Sequence, residues 1–349
     1  MFTLRQADRE ARLTPQLTDL TGYHRAACPG YANLLAALGH PAGTSYERPA
    51  DFAWLPVRLF KEHLLTSVPT GDVAAVLTSS GTTGSERSQV TLDLAAAHRQ
   101  RSHLIDTLRF VVGPRRLPLL VVDSPRVIAE QRSSIRGATV LGVLGVGRDH
   151  AFALDRDGEL DLAAVTGFLA RHGRQPFLIF GFTYLVWSQL YPVAVSHGLD
   201  LREALLLHTG GWKKLADIAV SPARFRTAWR EAAGLTRVQN FYGMVEQGGT
   251  IYVESPDGQG LHCPDIADVI IRDPRTWAEA PTGTAGVIEV LSVVPRSHPG
   301  HVLLTEDLGV VHGIDDGQWP GKRFEVLGRL SQAEPRGCSD TLLASGDAR

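Results

Sequence analysis

The stretch Val73-Ala74-Ala75-Val76-Leu77-Thr78-Ser79-Ser80-Gly81-Thr82-Thr83-Gly84-Ser85 runs from an apolar segment into a loop dense in hydroxyls. The apolar run is too short for a helix and predicts a strand over 73–78. Beyond a short polar stretch, Leu94, Leu104, Ile105 and Leu108 fall on one stripe and predict a helix over 92–110. The loop between them offers two glycines that permit close backbone approach, and hydroxyls that donate to phosphate oxygens or hold the water shell of Mg²⁺. That chemistry suits a polyphosphate. The stretch is not a Walker loop, because no Gly-Lys-Ser/Thr follows, and Gly142, Gly145 and Gly147 have the reverse of dinucleotide spacing. By composition alone it reads more readily as a Ser/Thr/Gly surface loop, so the rest of the chain has to decide.

Working outward, the alternation repeats. Strands are predicted over 117–123, 176–180, 204–207 and 236–241, with a helix over 160–171 and another over 223–233, which Ser221 caps and Pro222 opens. Such alternation predicts an α/β fold. From Asp268 the helices stop, and strand candidates follow at 268–272, 286–293, 301–305, 308–312 and 323–327, predicting a β-rich lobe packed on the α/β part.

The 349 residues are 44% hydrophobic and 21% charged, which excludes disordered, collagen-like and coiled-coil chains. A net charge of -2 gives no global positive field, so neither nucleic acid nor acidic lipid is an expected partner. No apolar run approaches the ~18 residues of a membrane span, and the opening residues lack a signal-peptide core, so the expected location is cytoplasmic. Cys28, Cys263 and Cys338 are too scattered for a disulfide framework or a close-paired metal site. Only Lys61, Lys213, Lys214 and Lys322 are lysines, leaving 35 − 4 = 31 arginines. A lysine in such a chain either supplies a compact point charge or reflects nothing beyond base composition.

Further segments carry a resemblance. Leu55-Pro56-Val57-Arg58-Leu59-Phe60-Lys61, the hydroxyl loop, His208-Thr209-Gly210-Gly211-Trp212-Lys213-Lys214, Phe241-Tyr242-Gly243-Met244-Val245-Glu246 and Leu304-Thr305-Glu306-Asp307 appear in that order. Gly328-Arg329 and then Arg336-Gly337-Cys338-Ser339 follow. In this order and chemistry the chain resembles the adenylate-forming superfamily of acyl-CoA synthetases, peptide-synthetase adenylation domains and firefly luciferase. Within it, the chain is most similar to the acyl-protein synthetases of the bacterial luminescence fatty-acid reductase system. The similarity runs from about residue 50 onward. It implies an ATP-binding domain over 51–327 with its β-rich lobe from about 268 and a short tail over 328–349; residues 1–50, which the similarity does not cover, are expected to form an N-terminal helical segment.

The resemblance implies roles. Thr78, Ser79, Ser80, Gly81, Thr82, Thr83 and Gly84 would cradle the phosphates, and Gly210 and Gly211 would border the adenine. Tyr242 would lie on the adenine face, and Gly243 would let the backbone approach it. Asp307 would take both ribose hydroxyls, since a carboxylate accepts at two oxygens. Arg329 would contact ribose or the hinge. Glu246 would hold Mg²⁺, a hard cation suited to carboxylate and phosphate oxygens. Arg87 stands where the superfamily loop has a lysine, and Val245 where it has a threonine.

The C-terminal domain that carries a catalytic lysine in full-length superfamily members is expected to be missing here. A preorganised cation at the transition state is commonly the largest catalytic contribution, so Lys213, Lys214 or Arg87 would replace it. His208 would help place the carboxylate. Cys338, near Arg336, would accept the acyl group as a thiolate. The implied activity is ATP- and Mg²⁺-dependent activation of a small carboxylic acid to acyl-AMP, then acyl transfer to Cys338 and a partner reductase. The alternatives are direct transfer to a carrier protein, coenzyme A or an amine, and, in another class, a non-catalytic nucleotide-binding scaffold. Phe182, Tyr184 and Trp187 are candidates for the acid pocket and equally for the core.

Overall fold

A computed structural model describes residues 1–79, 87–130, 133–212 and 219–330. The chain opens with two helices, α1 (Gln6–Ala27) and α2 (Pro29–Ala37), then a two-residue strand β1 (Leu55–Pro56) and a short helix α3 (Leu59–Glu62). A hairpin follows, β2 (Ala75–Thr78) and β3 (Gln89–Leu92), and then the long helix α4 (Leu94–Val112). Asp93 caps α4 by accepting from the Ala96 amide at 2.6 Å, and Gly113 ends it at φ 102°. The helix therefore starts two residues later than the apolar stripe predicts, because β-branched Val90 and Thr91 pair with β2 instead.

The α/β half consists of β4 (Leu117–Val122), α5 (Ile135–Leu144), β5 (Gly147–Phe152), α6 (Leu162–His172) and β6 (Phe177–Phe182). It continues through α7 (Thr183–Leu185), α8 (Tyr191–His197), β7 (Ala204–Thr209), α9 (Pro222–Ala233) and β8 (Arg237–Tyr242). The strands lie in the order β5-β4-β6-β7-β8, all parallel. Buried on both faces, they are near-continuous apolar runs: Leu119–Val122 and Leu178–Phe180 are fully buried. The chain leaves β4 outward for β5 and returns to β6 on the other side, so the order reverses at the carboxyl ends of β4 and β6, where open α/β sheets bind ligands.

The sheet continues antiparallel through β9 (Tyr252–Glu254), β10 (Leu261–His262), β14 (Lys322–Arg329), β13 (Val302–Ile314), β12 (Gly286–Ser292) and β11 (Ala267–Arg272). With β1 beside β13 it is 12-stranded among the described residues. The strands expected over 301–305 and 308–312 are one strand. A register shift between Leu308 and Gly309 absorbs the polar Glu306-Asp307 interruption without ending the pairing. Helix α5 was missed in the sequence because its glycines mimic breakers. Gly142 serves packing, since a Cβ there would collide with Leu104 of α4, and just past the helix one on Gly145 would lie 3.1 Å from Ile105 of α4.

Lys322 shows one reason for a lysine in an arginine-rich chain. Its buried ammonium sits 3.1 Å from Asp268 Oδ2 and donates to the Val269 carbonyl at 2.8 Å. Burial alone would lower its pKa, but Asp268 and Glu279 hold it above the ordinary value. Gln6 of α1 donates to the same Asp268 oxygen at 2.8 Å, and the fully buried Arg9 donates to the Ala267 carbonyl at 3.0 Å, which fastens α1 to the antiparallel half.

Candidate active site

The carboxyl ends of β6, β7 and β8 are stitched by hydroxyls. Thr183 Oγ1 donates to the Thr209 carbonyl at 3.1 Å, and Thr209 Oγ1 donates to the Phe241 carbonyl at 2.7 Å. Beyond Thr209 the chain turns at Gly210, whose φ of 78° favours glycine, into buried Gly211 and Trp212. Beyond Phe241 come Tyr242 and Gly243. The buried Tyr242 hydroxyl donates to Asp307 Oδ2 at 2.7 Å, across 65 residues of sequence. Burial and Asp307 together hold the phenol well above its ordinary pKa, so it remains a donor at neutral pH.

Asp307 lies on β13 opposite Arg329 of β14. Thr305 Oγ1 accepts from the Asp307 amide at 3.1 Å and donates to the Ile288 carbonyl at 2.8 Å, fixing the bend that presents the carboxylate. Arg329 pairs with Glu306, so its first role here is to bind the β13 turn to the end of β14.

Glu246 is buried in the turn after β8. His298 Nε2 donates to its main-chain carbonyl at 2.9 Å, while Nδ1 faces the Thr91 carbonyl of β3 at 3.3 Å. Burial lowers the His298 pKa, and a neutral imidazole carries one N–H, so the shorter contact takes the proton. His298 thereby ties the Glu246 turn to the hairpin. No sequence pattern singles out this residue. We expect His298→Ala to raise the KM for Mg·ATP about tenfold, with little change in the KM for acid. Steady-state kinetics checks this, and equal effects on both constants would contradict it.

The hydroxyl-loop stem is anchored on its other side. Ser88 N donates to Ser79 Oγ at 3.1 Å, and Thr78 donates through Oγ1 to the Ser133 carbonyl at 2.8 Å, just before α5. Arg87 is exposed beside this stem. Ser80, Gly81, Thr82, Thr83, Gly84, Lys213, Lys214 and Cys338 lie outside the described residues.

A cavity of about 500 Å³ lies between the hairpin, α4, α5 and the ends of β6, β7 and β8. Leu77, Phe182, Thr209, Phe241 and Gly243 line it, so the stem strand and the Tyr-Gly turn border one space. Arg136 also lines it, stacks over Phe182 with its guanidinium 5.7 Å from the ring centre, and donates through Nε to Asp123 Oδ2 at 2.9 Å. Asp123 follows the last residue of β4, so this pair marks the strand-order reversal. Of the three candidate aromatics, Phe182 lines the cavity. Tyr184 and Trp187 instead pack against the core, Trp187 stacking on Tyr191 at 4.4 Å.

His208 is buried at the end of β7, bonded through Nδ1 to Thr183 Oγ1 at 2.9 Å and tilted against Phe225. Burial, aided by Arg226, lowers its pKa to about 3. It is neutral at working pH and is not among the cavity-lining residues. Cys28 and Cys263 are buried free thiols, and burial raises Cys263 to about 12. Asn240 stands just before the Phe241-Tyr242-Gly243 segment. It shares a strand face with Tyr242 two residues on, Glu254 Oε2 accepts from its amide N–H at 3.1 Å, and its side-chain Oδ1 is buried without a hydrogen-bond partner. The period-two alternation of β8 carries that signal.

The family model for Acyl-protein synthetase, LuxE, matches residues 46–345. The chain belongs to the acyl-protein synthetase family. It is therefore an ATP-dependent, acyl-adenylate-forming ligase, and it takes part in acyl transfer. Solved structures share its fold. An open conformation of a 2-hydroxyisobutyryl-CoA ligase, in complex with 2-HIB-AMP and CoA, is 17% identical with a TM-score of 0.70, over 95% of this chain and 77% of that one. The same ligase in its postadenylation state gives 17% and 0.70, over 94% and 69%. ATP-bound MatB from Rhodopseudomonas palustris is 20% identical with a TM-score of 0.50, over 75% and 49%. No curated protein matches. Among the described residues, no helix is long and apolar enough to cross a membrane.

Proposed function

We propose that the acyl-protein synthetase binds ATP across the ends of β7 and β8 and the bulge of β13 at Asp307, and the acid in the cavity beside them. A carboxylate oxygen attacks the α-phosphorus, the bond to pyrophosphate breaks, and acyl-AMP forms. The Tyr242–Asp307 bond carries this reading, because it joins two distant motif segments beside the turn that borders the cavity. Asp307 accepts from the ribose hydroxyls, and the stem hydroxyls Thr78 and Ser79 start the phosphate cradle completed by residues 80–84. Gly210, Gly211 and Gly243 leave room for the base. Arg329 acts through Glu306 on the turn that carries Asp307.

Glu246 suits Mg²⁺. One buried carboxylate matches a cation that fills most of its shell with water and phosphate oxygens, and the described residues build no group of three His, Cys, Asp or Glu for a permanent metal. Bound there, Mg²⁺ would neutralise phosphate charge. The cation that serves the α-phosphate is Lys213, Lys214 or Arg87, with Arg136 a further candidate on the acid side; His208 positions the β7 turn.

In the second half, a thiolate attacks the acyl carbon and AMP leaves with the anhydride oxygen. We assign the thiolate to Cys338, which passes the acyl group to a reductase or carrier protein. Cys338→Ala tests this directly: acid-dependent ATP–pyrophosphate exchange survives, and the covalent acyl-enzyme band from radiolabelled acid disappears. A band that persists in the variant contradicts the assignment.

A further inference from the structure

The cavity lies to one side of a tight contact between two helices. Its lining on α4 comes from residues between Leu94 and Leu104, and on α5 from residues between Ile135 and Leu141. Just beyond those positions the helices touch. A Cβ on Gly142 would collide with Leu104, and one on Gly145, at the C-cap of α5, would lie 3.1 Å from Ile105. Glycine brings the α5 backbone itself against α4 there, so the buried Leu104 closes that end of the space.

The opposite end is the phosphate end. Thr78 of the hydroxyl-loop stem donates to the Ser133 carbonyl at 2.8 Å, and α5 starts two residues later. From Ile135 to Leu141 the helix advances about 9 Å along its axis. An acid whose carboxylate lies beside the stem and the Tyr-Gly turn therefore points its body along α5 toward Leu104. Leu77, Ala138 and Phe182 make that path apolar. The remaining margin of the cavity, at Ala74, Leu94, His98 and Arg101, is exposed. A body too long for the closed end has to turn that way into water, and each methylene left unburied loses about fourfold in affinity.

We infer that Leu104, resting on Gly142, is the end wall of the acid pocket and sets the length of the acid: the substrate is an apolar carboxylic acid of medium length, not a long-chain one. This rests on the reading of the cavity as the acid pocket. Carbon–carbon bonds of about 1.5 Å advance an extended chain by roughly 1.25 Å each, so about 9 Å takes roughly seven of them, an acid of about eight carbons. Shorter acids leave part of the lining without contacts, and longer ones are forced off the wall.

The test is acid-dependent ATP–pyrophosphate exchange across straight-chain acids of about four to sixteen carbons. In wild type, kcat/KM is expected to peak near about eight carbons and to fall at least about tenfold by about fourteen. Leu104→Ala takes the wall away: the optimum moves up by about two carbons, the longer acids gaining and the short ones losing. Gly142→Ala in that background returns a methyl group to the emptied space and moves the optimum back down. A core that is merely destabilised loses activity on all acids alike and shows neither shift. Ala138→Leu fills the cavity rather than emptying the core, so its expected shift to shorter acids keeps the test decisive if Leu104→Ala fails to fold. A wild-type profile that stays level or rises to the longest acid, or an optimum unmoved in these variants, would overturn the inference while leaving adenylation intact. If no acid of any length supports exchange, the adenylation reading fails with it.

Discussion

Asp307→Ala is expected to abolish most nucleotide-dependent activity while leaving the fold in place. Two charge-assisted hydrogen bonds from ribose, each of about 1.5–3 kcal/mol, would be lost together. That amounts to about 3–6 kcal/mol, or roughly 10²- to 10⁴-fold in kcat/KM for ATP. Tyr242→Phe removes only the phenol that orients Asp307 Oδ2, so it should cost about tenfold, mostly in the KM for ATP. The double variant should then be no worse than Asp307→Ala alone, because the phenol acts through the carboxylate. Exchange kinetics over a range of ATP concentrations measures all three. Near-wild-type exchange in Asp307→Ala would place ribose elsewhere.

The second large effect is on acid stability. His24 and His301 stack at 5.0 Å inside a buried cluster. Tyr31 and Thr21 contact His301 there, and Ser67 contacts His24. Burial, and then the neighbouring histidines, lower His24 to about 2, and the same causes lower His301 to about 3. With His208 at about 3, three imidazoles are neutral in the folded protein and charge when it unfolds. Their stabilisation is complete above about pH 6.5 and is lost as pH falls through the unfolded value, at about 1.4 kcal/mol per pH unit for each. Glu289, which burial raises to about 7, works in the opposite sense between the unfolded carboxylate value and neutrality. Below about pH 6.5 the net slope is about 3 kcal/mol per pH unit, so the fall to pH 5 removes about 4 kcal/mol of a typical 5–15 kcal/mol. Thermal melts should fall by roughly 10 °C between pH 7.5 and 5. His301→Gln should flatten the net slope by about half. A melting temperature flat over this range would contradict the burial of these histidines as neutral groups.

Much of the fold was legible because the two halves use different periodicities. Buried parallel strands such as Leu205-Leu206-Leu207 are continuous apolar runs, and Ser221-Pro222 marks a helix start through chemistry that is local. What was not legible depends on partners far along the chain. Nothing near Gly142 shows that its lack of a side chain serves α4, and nothing near His298 shows that it faces Glu246 and Thr91. The break at Glu306-Asp307 looked like a strand end because a bulge and a turn have the same composition. In the site, Tyr242 and Asp307 stood out as motif residues, yet the bond between them is a property of the folded sheet. Leu104 looks like any apolar residue of an amphipathic helix until its place in the cavity lining is seen. For Tyr184 and Trp187 the sequence left pocket and core equally open, because aromatic residues after a strand fill either.

The most direct measurement is carboxylic-acid-dependent exchange of labelled pyrophosphate into ATP by the purified protein with Mg²⁺. Exchange that needs both an acid and Mg²⁺, and that falls at least about 100-fold in Asp307→Ala, is the result predicted here. ATP binding with no exchange for any acid, in wild type at saturating Mg²⁺, would contradict it.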